Sequence, residues 1–377
     1  MIRIDSDFPG GNIKVHDIKG HDLYLSPDLR DTEGSWFYWA FRLRGGAGQR
    51  FHVHFVSDYP VAVRGPAIST DGRRTWRWTD EPFGEEDFVA TVPADCNEIY
   101  FALAPLYTQE NWDRFVATFP SFASCDRYRL GTLTTSRKGR PVERLHVGIA
   151  PEKASKIVVF TARHHCCEMI ANDVMEGVIS EILSGASEEG LWLRENASID
   201  FIPFTDKDGV EDGDQGKNRK PHDHNRDYTD FLYPETKAIA GLVNQLCEKF
   251  TLDVMFDLHC PGIRGHQNST AFMPGASEPD YAEGQIAFGT LLEKFLPKGA
   301  LPFFQKDFYS FGRNGNTDSD YSQGLSSTRW ARRQRKIPFV TSFETPYATA
   351  NGVAVTPDNA RLLGRGMAIA LARYLRR

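Results

Sequence analysis

Apolar and polar positions follow a regular rhythm in the second part of the chain, from about residue 107 onward. Short runs rich in β-branched and aromatic residues predict four strands, which lie at 156–161, 198–204, 252–258 and 337–344. Between and after these runs, apolar residues recur every three or four positions and predict helices near 168–183, 235–250, 283–296 and 357–375. Alternating strands and helices indicate an α/β fold, with a mixed, mostly parallel sheet flanked by helices.

The first part of the chain has a different pattern, in which short β-type segments are separated by turn residues. The segments 36–43 and 51–56 are the clearest strands. Several short strands at this spacing predict a small antiparallel β-sandwich. His52 and His54 alternate along the second of these segments, and we interpret them as residues of a sheet face rather than as metal ligands.

Length supports a division into two domains. The chain has 377 residues, which exceeds the size of one average domain. The change of pattern indicates where the boundary falls. We therefore expect an N-terminal β-sandwich domain over 1–106 and a second domain over 107–377.

Composition and charge limit the classes of partner. Apolar residues make up 41% of the chain, charged residues make up 25%, and the net charge is -6. A net negative charge argues against nucleic acid or a membrane surface as a partner, and no apolar run approaches membrane-spanning length. The first residues contain no signal-peptide core, and the six cysteines lack the spacing of a disulfide framework. We therefore expect a cytoplasmic protein with reduced thiols, and the sequence leaves its oligomeric state open.

Side chains that bind metals follow two of the predicted strands. His165 and Glu168 come directly after the run 156–161, and His259 ends the run 252–258. In open α/β sheets, ligands bind at the carboxyl ends of strands, so these three side chains are predicted to meet. Two imidazoles and one carboxylate form a zinc site with three protein ligands, which leaves one position for a reactive water. The sequence therefore predicts a metallohydrolase with one zinc ion per chain.

Neighbouring residues could assist this site or compete for the metal. Asp257 precedes His259 by two residues and points to the same side of the strand, so we expect it to orient a ligand imidazole. His164 is a rival ligand, as are Cys166 and Cys167. Because the two cysteines lie within the turn, we interpret them as residues that pack around the site.

Five motifs of the second part resemble the zinc carboxypeptidase family, specifically its cytosolic carboxypeptidase branch, in order and in spacing. They are Ala162-Arg163-His164-His165-Cys166-Cys167-Glu168, Lys207-Asp208-Gly209-Val210, Asp223-His224-Asn225-Arg226, Asp257-Leu258-His259 and Ser342-Phe343-Glu344. In the first part, the segments 35–39 and 99–108 resemble two further segments of the same branch. The resemblance implies a zinc carboxypeptidase catalytic domain over 107–377. Departures from the family pattern lie beside the zinc site, at Cys166-Cys167, His224 and Cys260-Pro261.

The resemblance also implies roles for individual residues. Glu344 is expected to act as the general base that takes a proton from the zinc-activated water and passes it to the leaving amine. Asn225 and Arg226 are expected to hold the terminal carboxylate of the substrate, since a guanidinium matches a carboxylate bidentately. Arg219 is expected to stabilise the developing oxyanion. The alternative for Arg219 is that it belongs to a solvated basic loop.

Arg329 carries the predicted specificity. It lies fifteen residues before Glu344, an offset that in the wider family places a residue at the base of the pocket for the terminal side chain. An arginine there favours an acidic side chain and rejects basic ones. Tyr309 and Tyr321 are both candidates for a phenol that assists the leaving group on a mobile loop, and the sequence does not choose between them.

The leading hypothesis is a zinc-dependent, deglutamylase-like metallocarboxypeptidase that removes Glu or Asp from the C-terminus of a peptide or protein. A second hypothesis is a zinc amidohydrolase that acts on a small N-acyl amino acid at the same site. The additional N-terminal domain disfavours it, because enzymes of small molecules seldom need a separate substrate-shaping domain. A third is a catalytically silent binding module, against which the presence of Glu344 beside all three ligands argues.

Overall fold

A computed structural model of the chain describes residues 2–119, 127–313, 316–317, 323–334 and 336–377. The first part, residues 3–102, contains nine strands. They are β1 (Arg3–Asp5), β2 (Lys14–Lys19), β3 (Asp22–Ser26), β4 (Ala40–Arg44), β5 (Arg50–Phe55), β6 (Ala67–Ser69), β7 (Arg77–Trp78), β8 (Asp87–Thr91) and β9 (Glu98–Ala102). One sheet has the order β1-β4-β9-β6-β7 and the other has the order β2-β3-β5-β8.

These two sheets form the predicted sandwich, with one difference from a purely antiparallel arrangement. The β3–β5 pair is parallel, because the intervening β4 belongs to the other sheet and the chain returns in its original direction. Aromatic side chains fill the interior, where the ring centroids of Trp39 and Phe55 lie 4.8 Å apart and those of Phe88 and Phe101 lie 5.6 Å apart. The predicted strand 36–43 begins only at Ala40, because the backbone N–H and carbonyl of Tyr38 bond to the side chain of Gln215, in the second part of the chain, instead of to a strand.

The second part alternates strands and helices as predicted. Its elements are α1 (Gln109–Val116), β10 (Tyr128–Thr135), β11 (Pro141–Gly148), β12 (Lys156–Ala162), α2 (Ile170–Ser184), α3 (Glu188–Asn196), β13 (Ala197–Ile202), α4 (Lys207–Asp212), α5 (Pro234–Lys249), β14 (Val254–His259), α6 (Pro279–Phe295), α7 (Ser327–Arg333), β15 (Phe339–Glu344), β16 (Thr349–Ala350), β17 (Val353–Ala354) and α8 (Pro357–Leu375). None of the helices in the described ranges is long and apolar enough to cross a membrane.

The main sheet has the order β10-β11-β13-β12-β14-β15. The pairs β13–β12, β12–β14 and β14–β15 are parallel, whereas β10 and β11 add an antiparallel edge. Helices cover both faces, because alternate residues of each central strand are apolar on opposite sides. Val158 and Phe160 belong to the core beneath α2 and α8, while Ile157 and Val159 belong to the core beneath α5 and α7.

This strand order positions the candidate site. β12, β14 and β15 are neighbours and run in the same direction, so their carboxyl ends share one edge of the sheet. Ala162 pairs with Leu258, and His259 pairs with Glu344. The segments predicted to carry the metal ligands and the general base therefore leave the sheet side by side.

Candidate metal centre

A tight turn after β12 carries the first two candidate ligands. Arg163 directly follows the strand and has a φ of 60°, in the left-handed region that residues other than glycine rarely adopt. Its buried guanidinium donates to the Cys166 carbonyl at 2.8 Å, the Tyr107 carbonyl at 2.9 Å and Asn172 Oδ1 at 2.8 Å. These hydrogen bonds close the turn between β12 and α2 and fix the direction of the candidate ligands.

His165, Glu168 and His259 come together at the carboxyl ends of β12 and β14. One Glu168 oxygen lies 2.9 Å from His165 Nδ1, and the other lies 2.7 Å from His259 Nδ1. Each residue offers one ligand atom, and these atoms lie within 4.8 Å of one another. Glu168 and His259 are buried, and the side chain of His165 is 12% exposed. The structure thus brings together the three side chains that the sequence predicted to meet.

Two aspartates face the other nitrogens of these imidazoles. Asp257 Oδ2 lies 2.8 Å from His259 Nε2, in agreement with the orienting role predicted from its position on β14. Asp223 Oδ1 lies 3.7 Å from His165 Nε2. Each imidazole therefore presents Nδ1 to the shared glutamate and Nε2 to an aspartate. For His259 the aspartate is within hydrogen-bond distance, which is the arrangement that fixes ring orientation in metal sites, whereas Asp223 is too far from His165 for a hydrogen bond.

A second group of side chains overlaps the first. Ligand atoms of His164, Asp257 and His259 also lie within 4.8 Å of one another. His164 Nδ1 lies 2.7 Å from Asp257 Oδ1, and its Nε2 lies 2.7 Å from the Tyr228 hydroxyl. The Ser327 hydroxyl donates to Asp257 Oδ2 at 2.5 Å. Both His164 nitrogens and both Asp257 oxygens thus have protein partners, and the His164 ring is fully buried.

A cavity of about 500 Å³ opens in front of His165, Glu168 and His259. Its wall also includes Lys217, Asn225, Arg226, Tyr309, Ser326, Ser342 and Glu344. Within the described ranges, His164 and Asp257 are not part of this wall. Only the first of the two overlapping groups therefore faces a space that a substrate could enter.

Two charged groups beside the ligands have shifted pKa values. Burial, together with the nearby Glu168 carboxylate, raises the pKa of Glu344 above its ordinary value. Lys217 Nζ lies 2.8 Å from Glu168 Oε1, and although burial opposes its charge, this carboxylate raises the pKa of Lys217. Burial also opposes ionisation of Glu168, but the charges of Lys217, His165 and His259 hold the pKa of Glu168 well below its ordinary value.

Arg219 lies away from this cavity. Its guanidinium pairs with Asp31 at 2.6 Å, Asp206 at 2.5 Å and Asp214 at 3.0 Å, and it lines a separate cavity of about 590 Å³. This position disagrees with the predicted role of Arg219 in stabilising an oxyanion, because three carboxylates hold it elsewhere. Lys217, two residues earlier, is the residue of this loop that lines the cavity in front of the ligands.

The residues predicted to contact substrate have different positions. Asn225 and Arg226 line the cavity from one short 3-10 turn, and Asn225 Oδ1 accepts a hydrogen bond from the Ser327 N–H at 3.1 Å. Tyr309 also lines the cavity. The other candidate phenol, Tyr321, lies outside the described residues.

Arg329 lies in the first turn of α7, next to the cavity wall. Its backbone N–H donates to Ser326 Oγ at 3.2 Å, and Ser326 is a wall residue. Thr328 Oγ1 lies 3.3 Å from the hydroxyl of Ser342, a second wall residue. Arg329 itself is not among the described residues that line the cavity. Its place at the base of a side-chain pocket therefore stays a prediction.

The cysteines of the ligand turn contact protein groups. Cys166 Sγ donates to the Asp214 carbonyl at 3.1 Å, and Cys167 Sγ lies 3.5 Å from the Tyr347 hydroxyl. Burial raises the pKa of both thiols, that of Cys167 to about 11. Because zinc binds the thiolate, this environment supports their interpretation as packing residues. All five described cysteines are free thiols.

Sequence reasoning missed two residues of this centre, Asp223 and Lys217. Asp223 precedes the predicted substrate-binding pair by only two positions, and its charge was the signal that it could lie beside a ligand imidazole. Lys217 follows Gly216, which has a φ of 74° and lies so close to the ligand turn that an added Cβ would be 2.6 Å from Cys166 N. That glycine was the signal that this loop closes onto the ligands.

The buried imidazoles and carboxylates at this sheet edge, and the cavity before them, are those of a metal-dependent hydrolase. Comparison with protein families is more specific. The zinc carboxypeptidase model matches residues 112–250, and the cytosolic carboxypeptidase N-terminal domain model matches residues 4–103. Residues 112–250 therefore belong to a zinc carboxypeptidase domain, a domain of peptide-bond hydrolases, and residues 4–103 belong to a cytosolic carboxypeptidase N-terminal domain.

Individual relatives are distant. An uncharacterised protein of Zymomonas mobilis is 21% identical, over 99% of this chain and 97% of its own length. Cytosolic carboxypeptidase 2 of Danio rerio is 26% identical over 74% of this chain, which spans only 43% of that relative. The crystal structure of a metallo-carboxypeptidase from Burkholderia cenocepacia has a TM-score of 0.79 at 20% identity, with 100% of this chain and 99% of that chain covered. At this identity the structural likeness establishes the fold alone.

Proposed function

We propose that this protein is a zinc-dependent metallocarboxypeptidase that removes the last residue of a peptide or protein and prefers acidic terminal residues. The observation that carries the proposal is the convergence of His165, Glu168 and His259 on one wall of a cavity that also contains Glu344. The match of residues 112–250 to the zinc carboxypeptidase family model supports the reaction class. The family name of the first domain supports a cytoplasmic location.

We assign one zinc ion per chain to His165, Glu168 and His259. Zinc accepts imidazole nitrogen and carboxylate oxygen and leaves a position open in catalytic sites, and these three donors face the cavity. His164 and Asp257 fit the ion less well, because their polar atoms already bond to protein groups behind the cavity. Their proposed role is to hold the His259 ring in place.

Zinc at this position supplies polarisation of the scissile carbonyl and lowers the pKa of an attacking water. Glu344 is assigned as the general base, because its carboxylate lines the cavity beside the three proposed zinc ligands. It would take the proton of the water and give it to the leaving amine. Lys217 takes over the role predicted for Arg219, since its ammonium lies at the cavity wall and can stabilise developing negative charge.

Two neighbouring donors support removal of a terminal residue rather than cleavage within a chain. Asn225 and Arg226 both line the cavity, and a guanidinium with an amide is suited to a free terminal carboxylate. Arg329 is proposed to select an acidic side chain, because it lies beside the wall residue Ser326 and its charge complements Glu or Asp.

The test is a set of peptides that differ only in the last residue, incubated with zinc-loaded protein and followed by mass spectrometry. Peptides ending in Glu or Asp should lose a single residue fastest, those ending in Lys slowest. The same peptide with an amidated terminus should stay intact, because the carboxylate clamp then has no partner. Equal cleavage of free and amidated termini would contradict exopeptidase action, and hydrolysis of N-acetylglutamate alone would favour an amidohydrolase.

A variant tests the assignment of the general base. Glu344→Gln should lower kcat by about 10²-fold or more while the zinc content stays at that of the wild-type protein. Glu248→Gln, at an exposed position on α5, is the matched control and should leave both quantities unchanged. Full turnover in Glu344→Gln would rule out the assignment.

A second pair of variants tests the assignment of specificity. Arg329→Ala should lower kcat/KM about 10-fold or more for peptides ending in Glu, with a much smaller loss for peptides ending in Leu. Arg333→Ala removes an exposed arginine one turn later on α7 and should affect neither. An equal loss for both peptides in Arg329→Ala would show that Arg329 does not read the side chain.

A further inference from the structure

A second cluster of metal-binding side chains lies in the first domain, on the outer face of the β2-β3-β5-β8 sheet. His52 and His54 are two residues apart on β5, so both point to the same face. In the register of the sheet, Asp22 of β3 lies opposite His52, and Asp87 of β8 lies opposite His54. Strand pairing therefore gathers two imidazoles between two carboxylates.

The polar atoms of these side chains lie close together. His54 Nε2 lies 2.8 Å from Asp22 Oδ1, and His52 Nδ1 lies 4.0 Å from the same oxygen. The two imidazole ring centroids are 3.9 Å apart. The ligand atoms that Asp22, His52 and His54 offer all lie within 4.8 Å of one another. A small movement of side chains could place all three around one ion.

Asp87 gives the cluster a feature that simple surface ion pairs lack. Its Oδ2 lies 2.7 Å from His52 Nε2, so it occupies one nitrogen of that ring and leaves Nδ1 facing Asp22. A carboxylate that holds the outer nitrogen of a ligand imidazole fixes the tautomer and the ring orientation. The same relation, through the same ring nitrogen Nε2, holds between Asp257 and His259 at the first site.

We propose that Asp22, His52 and His54 bind a second divalent transition-metal cation, of which zinc is the probe of choice, with Asp87 as the residue that positions His52. Two imidazoles and one carboxylate are donors that zinc accepts in tetrahedral sites. The side chains of His52 and His54 are 41% and 28% exposed, so water completes the coordination. Both histidines lie on a sheet face, as expected from their alternation along β5, but the proposal departs from the expectation that they are not metal ligands.

The site would link β3 to β5, the parallel strand pair of the first domain. A cation bound to the folded state and not to the unfolded chain stabilises the fold by mass action. We therefore expect zinc to raise the melting temperature of the protein by two separate increments, one from binding at each site. The increment from the site in the first domain should remain when His165, Glu168 or His259 is replaced.

The experiment is calorimetric titration of ZnCl₂ into the full chain after metal removal by a chelator. The wild-type protein should bind about two equivalents, and His54→Gln and His165→Gln about one each. His16→Gln is the matched control, because His16 lies on the neighbouring β2 and contacts Ser26 at 2.8 Å outside the cluster. It should bind about two equivalents.

The outcomes separate this inference from the proposed function. If His54→Gln still binds two equivalents of zinc, the second site is overturned. It is also overturned if the wild-type protein binds one equivalent and only His165→Gln abolishes that binding. Both results leave the catalytic assignment intact. A single equivalent that only His54→Gln abolishes would support the second site and contradict the catalytic one. If His54→Gln loses its native circular dichroism, Asp87→Asn provides the test, because it should weaken zinc binding at this site about 10-fold, and unchanged affinity would overturn the inference.

Discussion

At the scale of single residues, the loop between α4 and the 3-10 turn shows why a charge cannot be placed from sequence alone. Lys217 and Arg219 are two positions apart, yet one lies 2.8 Å from Glu168 and the other pairs with three aspartates in a different cavity. The basic character of the loop could be read from the sequence. Which cation enters the centre depends on backbone turns such as that at Gly216.

Variants of these two residues should behave differently. Lys217→Gln should lower kcat/KM for peptide substrates by about 10²-fold or more, because a cation at the cavity wall is lost. Arg219→Gln should instead destabilise the fold by about 3 kcal/mol, because it removes the cation that pairs with the buried Asp206 carboxylate. Steady-state kinetics and urea unfolding measure the two effects, and Lys220→Gln, at an exposed position, is the control. Normal kinetics in Lys217→Gln would contradict the assignment.

The lowered pKa of His224 predicts that the stability of the fold depends on pH. Burial, together with the charge of Arg219, lowers the pKa of His224 to about 4, below its ordinary value of about 6.5 in the unfolded chain. Between these pH values, the unfolded chain binds a proton at His224 and the folded protein does not. The stability that the neutral His224 contributes is therefore complete above about pH 6.5 and is lost as pH falls toward 4.

Replacement by an apolar side chain isolates that contribution. From about pH 7.5 to pH 5, the wild-type free energy of unfolding should fall about 2 kcal/mol further than that of His224→Leu. Urea unfolding at the two pH values measures the difference. Equal losses in both proteins would mean that His224 does not titrate as described.

At the scale of elements, the central strands and long helices were predictable because their apolar patterns are strong. β12, β14 and β15 end where the sequence placed the ligands and Glu344. The hairpin of β10 and β11 was not predicted, because β10 is an edge strand in which Gly131, Thr132 and Thr134 interrupt the apolar residues. The metal-binding side chains of His165 and Glu168 indicated the turn after β12, but nothing in the sequence indicated the left-handed conformation of Arg163.

That turn leads to a prediction about Arg163. Arg163→Lys keeps the charge but cannot reach the two carbonyls and the amide that the guanidinium contacts. Leaving buried acceptors without donors should cost about 2 kcal/mol of stability. Urea unfolding measures this loss, and Arg129→Lys, at an exposed position on β10, should show none. Wild-type stability in Arg163→Lys would mean that these bonds do not hold the turn.

At the scale of the whole molecule, buried hydrogen bonds connect the two parts of the chain. The Gln215 side chain accepts from the Tyr38 N–H at 2.8 Å and donates to the Tyr38 carbonyl at 2.7 Å. Asn12 Nδ2 donates to the Gly213 carbonyl at 2.6 Å. Such contacts between segments far apart in sequence could not be predicted from local patterns. They make the first domain part of the support for the loop that carries Lys217.

This connection predicts that the two parts unfold together. Differential scanning calorimetry of the full chain should give one transition, whose midpoint Gln215→Ala lowers because two buried hydrogen bonds at Tyr38 are lost. Gln49→Ala, at an exposed position of the first domain, should leave the midpoint unchanged. Two well-separated transitions in the wild-type protein would contradict a shared folding unit.

The most direct measurement for the whole account is anomalous X-ray diffraction at the zinc edge from crystals of the zinc-loaded protein. The account predicts an anomalous peak about 2.0–2.2 Å from His165 Nδ1, from His259 Nδ1 and from a Glu168 oxygen, with Glu344 facing it across the cavity. A peak between His164 and Asp257, or no peak at the carboxyl ends of β12 and β14, would contradict the central claim.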